Sequence, residues 1–472
     1  MRRVRFVAQY TTRPFRSGWR YLIGETQGLV RDATFAGLGQ GATILGVLGQ
    51  ITIISHVLGL EAFGTFALTV AFVHLVSRFF DLNAEYMLIA FGAAKIRRSE
   101  KAAAGVIQFS AIADAVSGLV GFAAVAMLAS FAGEHLAGSE GPELFLLFGL
   151  TLLVSTVDGT SASTLQLFGR FGLIAGYQVF GEVSRLIAIG VGLLISESLV
   201  AVVVALVVHD AVMAVIGAAA ALAVFKRTTG QSLLRPALST VRADFRAMLK
   251  MLVHTNVVAY ARLVETHIPT LLVGSFHGAL EAGVFRVGMA PAAALGKVRA
   301  SASSAATPRF ARLLNSDNPD PLRRLVLQAT VLALVVIGGL GAILIVLRVP
   351  ILQVIGGEEA TVASAVLVFA VLGQVVSGSL FWNSNLLFAA RDAKTVSKLY
   401  VVSVVVAIPI LVFFVDRWGA TGAAAALLIS AIQINAMLTL AAWRLTSQER
   451  AGSSVRGYTR RSGPAGLPAV HE

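Results

Sequence analysis

Apolar residues fill this chain in blocks of ~20 to 28 positions, separated by short polar stretches, and no period of two runs through the blocks. Blocks of that length cross a bilayer as α-helices and are far too long for barrel strands. Their edges predict twelve spans, at 33–57, 63–90, 103–131, 143–167, 173–195, 199–225, 250–274, 284–308, 326–347, 361–388, 395–415 and 422–443. The predicted fold is all-α, a polytopic membrane protein.

The polar stretches between the blocks set the orientation. Of 38 Lys and Arg, 30 fall in the N-terminal arm, the even-numbered loops and the C-terminal tail, whereas the opposite loops hold only Arg348 and Arg417 among many Glu and Asp. By the positive-inside rule both ends lie in the cytoplasm. The formal charge of +13 is thereby read as topology, and no nucleic-acid partner is expected. The basic N-terminal arm has no compact apolar core followed by a small-residue cleavage site, so it is expected to stay attached.

A repeat divides the chain. Leu60-Glu61-Ala62-Phe63-Gly64 is echoed by Leu280-Glu281-Ala282-Gly283 with one residue dropped, and Leu167-Phe168-Gly169-Arg170 by Leu387-Phe388-Ala389-Ala390-Arg391. Each half begins and ends on the same side, so the halves are parallel repeats about an axis along the membrane normal. The expected parts are a basic arm (1–32), a six-helix bundle (33–225), an amphipathic cytoplasmic linker (226–249), a second six-helix bundle (250–444) and a basic tail (445–472). Over 232–250 an apolar and a basic stripe at helical spacing predict a helix lying on anionic membrane lipids. Gly37 and Gly41, and Gly172 and Gly176, carry the small-xxx-small spacing of closely packed helices.

Charges inside the blocks are the candidate chemistry. His74, Arg78, Asp81 and Glu85 fall on one stripe of a helical span 2. Span 7 carries His254, Arg262 and Glu265, and span 8 carries Arg286, Lys297 and Arg299, with Arg286 toward the outer surface. A mid-membrane Arg or Lys costs roughly 2.5 to 3.5 kcal/mol on insertion scales, so these groups need partners, water or both. Spans 1, 2, 7 and 8 hold five cations against Asp81, Glu85 and Glu265, which predicts a hydrated, net positive cavity for an anionic substrate. The alternative is purely structural pairing. Spans 3 to 6 are acidic, and Asp158 and Glu182 are the candidate ion-coupling groups, Glu182 with an intrahelical pairing to Arg185 as the alternative.

Enzyme chemistry finds little footing. No cysteine is present, so thiolate and disulfide chemistry are excluded. Gly296-Lys297 follows Pro291 where a phosphate loop needs its first glycine, and the eight histidines lack metal-ligand spacing. No cofactor and no metal are expected.

The turn Leu58-Gly59-Leu60-Glu61-Ala62-Phe63-Gly64-Thr65-Phe66 resembles the opening of polysaccharide transport proteins, the lipid-linked oligosaccharide flippases of the multidrug, oligosaccharidyl-lipid and polysaccharide exporter superfamily. Gly283-Val284-Phe285, Thr307-Pro308-Arg309-Phe310-Ala311 and Trp418-Gly419-Ala420-Thr421-Gly422-Ala423-Ala424 are similar to further family elements. The resemblance implies a V-shaped pair of six-helix bundles working by alternating access in a bacterial inner membrane. It implies an undecaprenyl-pyrophosphate oligosaccharide as cargo, with a polysaccharide polymerase and export machinery as partners, and an arginine-lined cavity met here by Arg78, Arg262 and Lys297. Drive is expected from a proton, sodium or the membrane potential. A cation-coupled drug exporter of the same superfamily is the alternative; a membrane polymerase or glycosyltransferase is disfavoured because no sizeable outward loop is present.

Overall fold

The computed structural model describes residues 18–82, 84–96, 99–137, 142–252, 266–314, 320–390 and 392–461. They are helical with no strand among them, and ten helices are long and apolar enough to cross a membrane. The tenth, Lys394–Arg444, has 51 residues, about 75 Å of helix, more than twice a bilayer core. Non-helical backbone at Trp418 and Gly419 divides it into spans 11 and 12. Helix Ile268–Leu314 is likewise divided at Gly278, which separates the end of span 7 from span 8. The rest of span 7, 253–265, lies outside the described residues.

The repeat is visible in the backbone. Gly59 has φ 88° and ψ 167°, and Gly278 has φ 87° and ψ 179°, an extended left-handed conformation that L side chains rarely adopt. Each is followed five positions later by a glycine, Gly64 or Gly283, so no residue is dropped between the two turns. Gly59 matches Gly278, and the sequence echo of Leu-Glu-Ala is offset by one from the true register.

Gly64 and Gly283 mark where helix Leu60–Phe80 crosses span 8. A Cβ on Gly64 would overlap the carbonyl oxygen of Ala279, and one on Gly283 would meet the carbonyl oxygen of Leu60 at 2.5 Å. Since Leu60 matches Ala279 in the repeat, the two clashes are symmetry mates. Around this crossing one buried core joins both halves, with Ile54, Phe63 and Phe66 from the first and Val273, Phe285 and Ala363 from the second. Ser55 Oγ donates to Ile355 O at 3.0 Å, and His277 Nε2 donates to Val415 O at 2.7 Å. Glu281 accepts from Ala420 N at 3.0 Å, satisfying a first-turn amide of span 12.

At the other end the cores are separate. Phe310, Trp382, Leu386 and Leu438 cluster within the second half, while Met87, Val106 and Met248, and Leu88, Ile107 and Phe225, cluster within the first half and the linker. The two bundles therefore share a core at the end carrying the glycine turns and diverge toward the end carrying the basic loops, a V.

Several sequence expectations change. Span 2 is not one helix: it ends at Phe80, Asp81 is extended (φ −69°, ψ 117°), and a second helix runs Ala84–Ile96. The break is tolerated because Leu82 N donates to Ser117 Oγ at 3.3 Å. Span 4 breaks into Glu143–Gly149, Thr151–Val154, a 3-10 turn at Ser155–Val157 and Asp158–Leu167. The linker is not a surface helix. After Thr229 the chain runs irregularly to a 3-10 turn at Leu238–Val241 and becomes helical only near Phe245. Gln108 of span 3 holds it, its Nε2 donating to Leu233 O and Arg235 O at 2.7 Å and its Oε1 accepting from Ala237 N at 2.9 Å. Lys95 pairs with Asp244. Side-chain amides that satisfy the strap's backbone replace the bonds a helix would have made. Finally, a Cβ on Gly37, Gly41 or Gly176 would meet nothing within 4 Å, whereas Gly39, Gly46 and Gly49 of span 1 receive Gln178, Glu182 and Leu186 of span 5.

Gly64→Val is expected to lower the melting temperature of the detergent-solubilised protein, by the ~1 to 3 kcal/mol of an overpacked contact, whereas Gly41→Val, open within 4 Å, carries only the shared helix-propensity change. Equal melting temperatures for the two variants would remove the crossing as a tight contact.

Candidate functional site

A cavity of ≈ 380 Å³ opens between spans 2, 3 and 4 of the first half and His267 of span 7, and His74, Arg78, Asp81 and Glu85 all line it. The broken span 2 thus brings them together by a turn rather than by one helical stripe. Arg78 Nη1 donates to Asp81 Oδ2 at 2.7 Å, with the side chains 48% and 33% exposed. His74 stands edge-on to Phe148 and to His267, with ring centroids 5.9 and 5.7 Å away. Asp114, from span 3, joins the lining and accepts from Thr160 Oγ1 at 2.6 Å, with Ser110 behind at 2.9 Å.

The charge of this cavity departs from the sequence reading. Its lining holds one arginine against Asp81, Glu85 and Asp114, so the described wall is rich in carboxylates rather than net positive. Helix-group counting misplaced Asp114 with the outer spans. It failed because a break at Asp81 lets span 3 reach the cavity.

In the second half, Lys297 follows Gly283 by the same fourteen residues as Arg78 follows Gly64. Fourteen residues are about 21 Å of helix and nearly four whole turns, so each cation lies on the face of its helix that makes the glycine crossing. Both are exposed. Arg78 and Lys297 are the same position of the two repeats, one on each arm of the V. Arg286, expected toward the outer surface, is half-buried three residues past Gly283, at the closed end of the V, and acts electrostatically on His74 and His267. Arg299 turns away from Lys297 into a smaller cavity of the second half. His254, Arg262 and Glu265 lie outside the described residues.

Asp158 and Glu182 fall in a polar network inside the first half. Breaking span 4 places Asp158 at a helix start, 3.5 Å from Tyr177 Oη, which donates to Met213 O at 2.9 Å. His209 Nδ1 is 3.0 Å from Asp210 Oδ1, and its Nε2 is 3.1 Å from Gly181 O and 3.0 Å from Ser184 Oγ. Glu182 keeps Arg185 as an electrostatic neighbour on its own helix and also reaches span 1 beside Thr43 and Gly46. Tyr177, Ser184 and His209 were missed because the charged or amide neighbours Gln178, Glu182, Arg185 and Asp210 dominate a reading by charge. Their signal was helical phase: residues 177, 181 and 184 share a face, which span 6 meets with His209.

The chain is a helical membrane protein with polar cavities between its spans, and solved structures share the architecture over nearly its whole length. A multidrug resistance MATE family transporter of the MOP superfamily, in an inward-facing conformation, superposes with a TM-score of 0.70 at 14% identity, covering 87% of this chain and 96% of that one. The lipid II flippase MurJ in an inward closed conformation gives 0.66 at 14% identity over 92% and 94%. The Vibrio cholerae MATE transporter VcmN in its bent form gives 0.58 at 15% over 90% and 99%. No curated protein matches the chain in sequence. The family described as polysaccharide biosynthesis protein matches residues 29–314, more than half of the chain, and the chain belongs to that family. The MatE family matches residues 263–413.

Because the Arg78–Asp81 pair is half exposed, an Arg78→Ala/Asp81→Ala double-mutant cycle on stability is expected to give a coupling of at most ~1 kcal/mol. A coupling above ~3 kcal/mol, the range of a buried pair, would make Arg78 a structural residue.

Proposed function

We propose that this transporter carries a lipid-linked anionic oligosaccharide across a bacterial inner membrane, from the cytoplasmic to the outer leaflet, for cell-surface polysaccharide synthesis. The observation that carries the reading is the pair Arg78 and Lys297, matched by the repeat and set on both arms of the V. Two cations on opposite walls suit one anionic head, such as a pyrophosphate with acidic sugars, held between the halves while its lipid tail stays in the bilayer. Arg78 offers a two-pronged grip on a phosphate and Lys297 a mobile point charge. Arg262 is a further candidate of the same kind. The family and the lipid II flippase likeness support a lipid-linked cargo.

The charge asymmetry of the loops supports a cytoplasmic side for both chain ends and for the open side of the V, where such a precursor is made. Asp158 and Glu182, with Tyr177, His209 and Asp210, are the groups proposed to couple transport to a proton or sodium ion, since titratable groups held inside a bundle commonly mark ion paths. A polymerase and export machinery would take the product.

A second reading rests on the three carboxylates beside Arg78: an acidic wall suits a cationic drug, and a MATE transporter shares the fold. The two separate by experiment. In cells lacking the protein, lipid-linked oligosaccharide should accumulate, and Arg78→Ala/Lys297→Ala at normal membrane abundance should fail to clear it. Each lost charged hydrogen bond is worth ~1.5 to 3 kcal/mol, or about ten- to hundredfold in affinity. Normal glycan in the deletion strain together with raised sensitivity to ethidium would establish the exporter instead.

A further inference from the structure

The strap between the halves is seated on the first half along one side and open along the other. Ala237, Val241 and Met248 are buried, packed in the clusters of Met87, Val106, Leu88 and Ile107 from spans 2 and 3. A Cβ on Gly105 of span 3 would meet Ala237 O at 2.6 Å, so the strap's backbone lies directly on that helix. The bonds from Gln108 and the ion pair of Lys95 with Asp244 fix the seat. The open side carries the rest of the apolar residues. Leu234 is 79% exposed, and Leu238, Phe245 and Leu249 are exposed as well. Arg235, Arg242 and Arg246 stand exposed among them, and none of the three has an ion pair among the described residues. Asp244, the one carboxylate of 226–252, is already taken by Lys95.

Depth decides what covers this open side. Span 3 runs Glu100–Leu136, 37 residues or about 55 Å of helix, which exceeds a ~30 Å hydrocarbon core by ~25 Å. Shared between its two ends, that excess sets the first ~8 residues of the helix in the headgroup layer. Gly105 and Gln108, which hold the strap, fall in that stretch or at its edge, so the strap is level with the headgroups at the end that carries the basic loops. Water at this level would leave four large apolar side chains uncovered, and a soluble partner would have to enter the headgroup layer to reach them. Large apolar side chains interleaved with arginines match a leaflet instead: the chains receive the one and the phosphates the other. From this seat, depth and charge, we infer that the strap is a docking surface for anionic phospholipids of that leaflet. Arg235, Arg242 and Arg246 meet their phosphates, and Leu234, Leu238, Phe245 and Leu249 enter the acyl boundary. The surface lies outside the cleft and does not depend on what the cleft carries.

The test uses the full chain in nanodiscs of phosphatidylcholine and phosphatidylglycerol, where the lack of native cysteine allows one label at a time, at Leu234→Cys, Leu238→Cys or Leu249→Cys. Nitroxides at all three positions should collide more often with oxygen than with a water-soluble nickel chelate. A bimane on Leu238→Cys should be quenched by brominated phosphatidylglycerol at a several-fold lower mole fraction than by brominated phosphatidylcholine. An arginine beside an anionic leaflet favours it by about fivefold, so Arg235→Gln/Arg242→Gln/Arg246→Gln should bring the two quenchers level. Collision mainly with the nickel chelate would give the face to water or to a soluble partner and overturn the proposal. Equal quenching of the native sequence by the two lipids, or a preference that survives the triple change, overturns it too. The collision measurement needs no arginine variant, so it decides the matter even where the triple change unfolds the protein.

Discussion

The close approach of two backbones at Gly64 and Gly283 is the constraint on which the rest of the structure depends. Only hydrogen at these positions lets the carbonyls of Ala279 and Leu60 sit against the opposing helix. That contact closes one end of the V, and the shared core around Phe63, Phe66 and Phe285 builds on it. From the crossing the two helices diverge, which carries Arg78 and Lys297 to opposite walls at matching depth.

The two halves share a plan but hold polar groups differently. The first half uses carboxylates, histidines and a tyrosine: Asp114, Asp158, Glu182, His209 and Tyr177. The second uses uncharged amides and hydroxyls around Gln374, Asn383 and Asn435, with Arg299 alone bearing charge in its cavity. Groups that titrate and groups that only donate and accept suit different tasks. In the reading proposed above, ion coupling falls to the first half, and the anionic head lies between the halves.

Much of this was legible in the sequence. The twelve apolar blocks, the all-α class and the parallel repeat follow from block length and loop charge, which act over whole segments and tolerate local error. Local breaks were not legible. Asp81 ends a helix because Ser117, far along the chain, accepts from Leu82 N, and the linker gives up its helix because Gln108 does the same for its backbone. Both depend on a tertiary partner that no local pattern reveals. The glycine pairs failed for a related reason: spacing finds Gly37 and Gly41, but only the path of span 5 shows that Gly39, Gly46 and Gly49 are the ones filled. Arg78 and Asp81 were read correctly as neighbours, whereas the carboxylate of Asp114 came from an element the sequence placed elsewhere.

The central claim is that two bundles alternately close at the glycine crossing and at the basic end, around a cargo bound between Arg78 and Lys297. The absence of native cysteine makes double spin-labelling clean. One pair, Glu61→Cys with Leu280→Cys, reports the closed end, and a second, Ala94→Cys with Lys394→Cys, reports the open end; all four positions are exposed. Pulsed electron-electron resonance in nanodiscs, with and without lipid-linked oligosaccharide, should show the two distances changing in opposite senses. Distances that both stay fixed, or that lengthen together, would contradict the account.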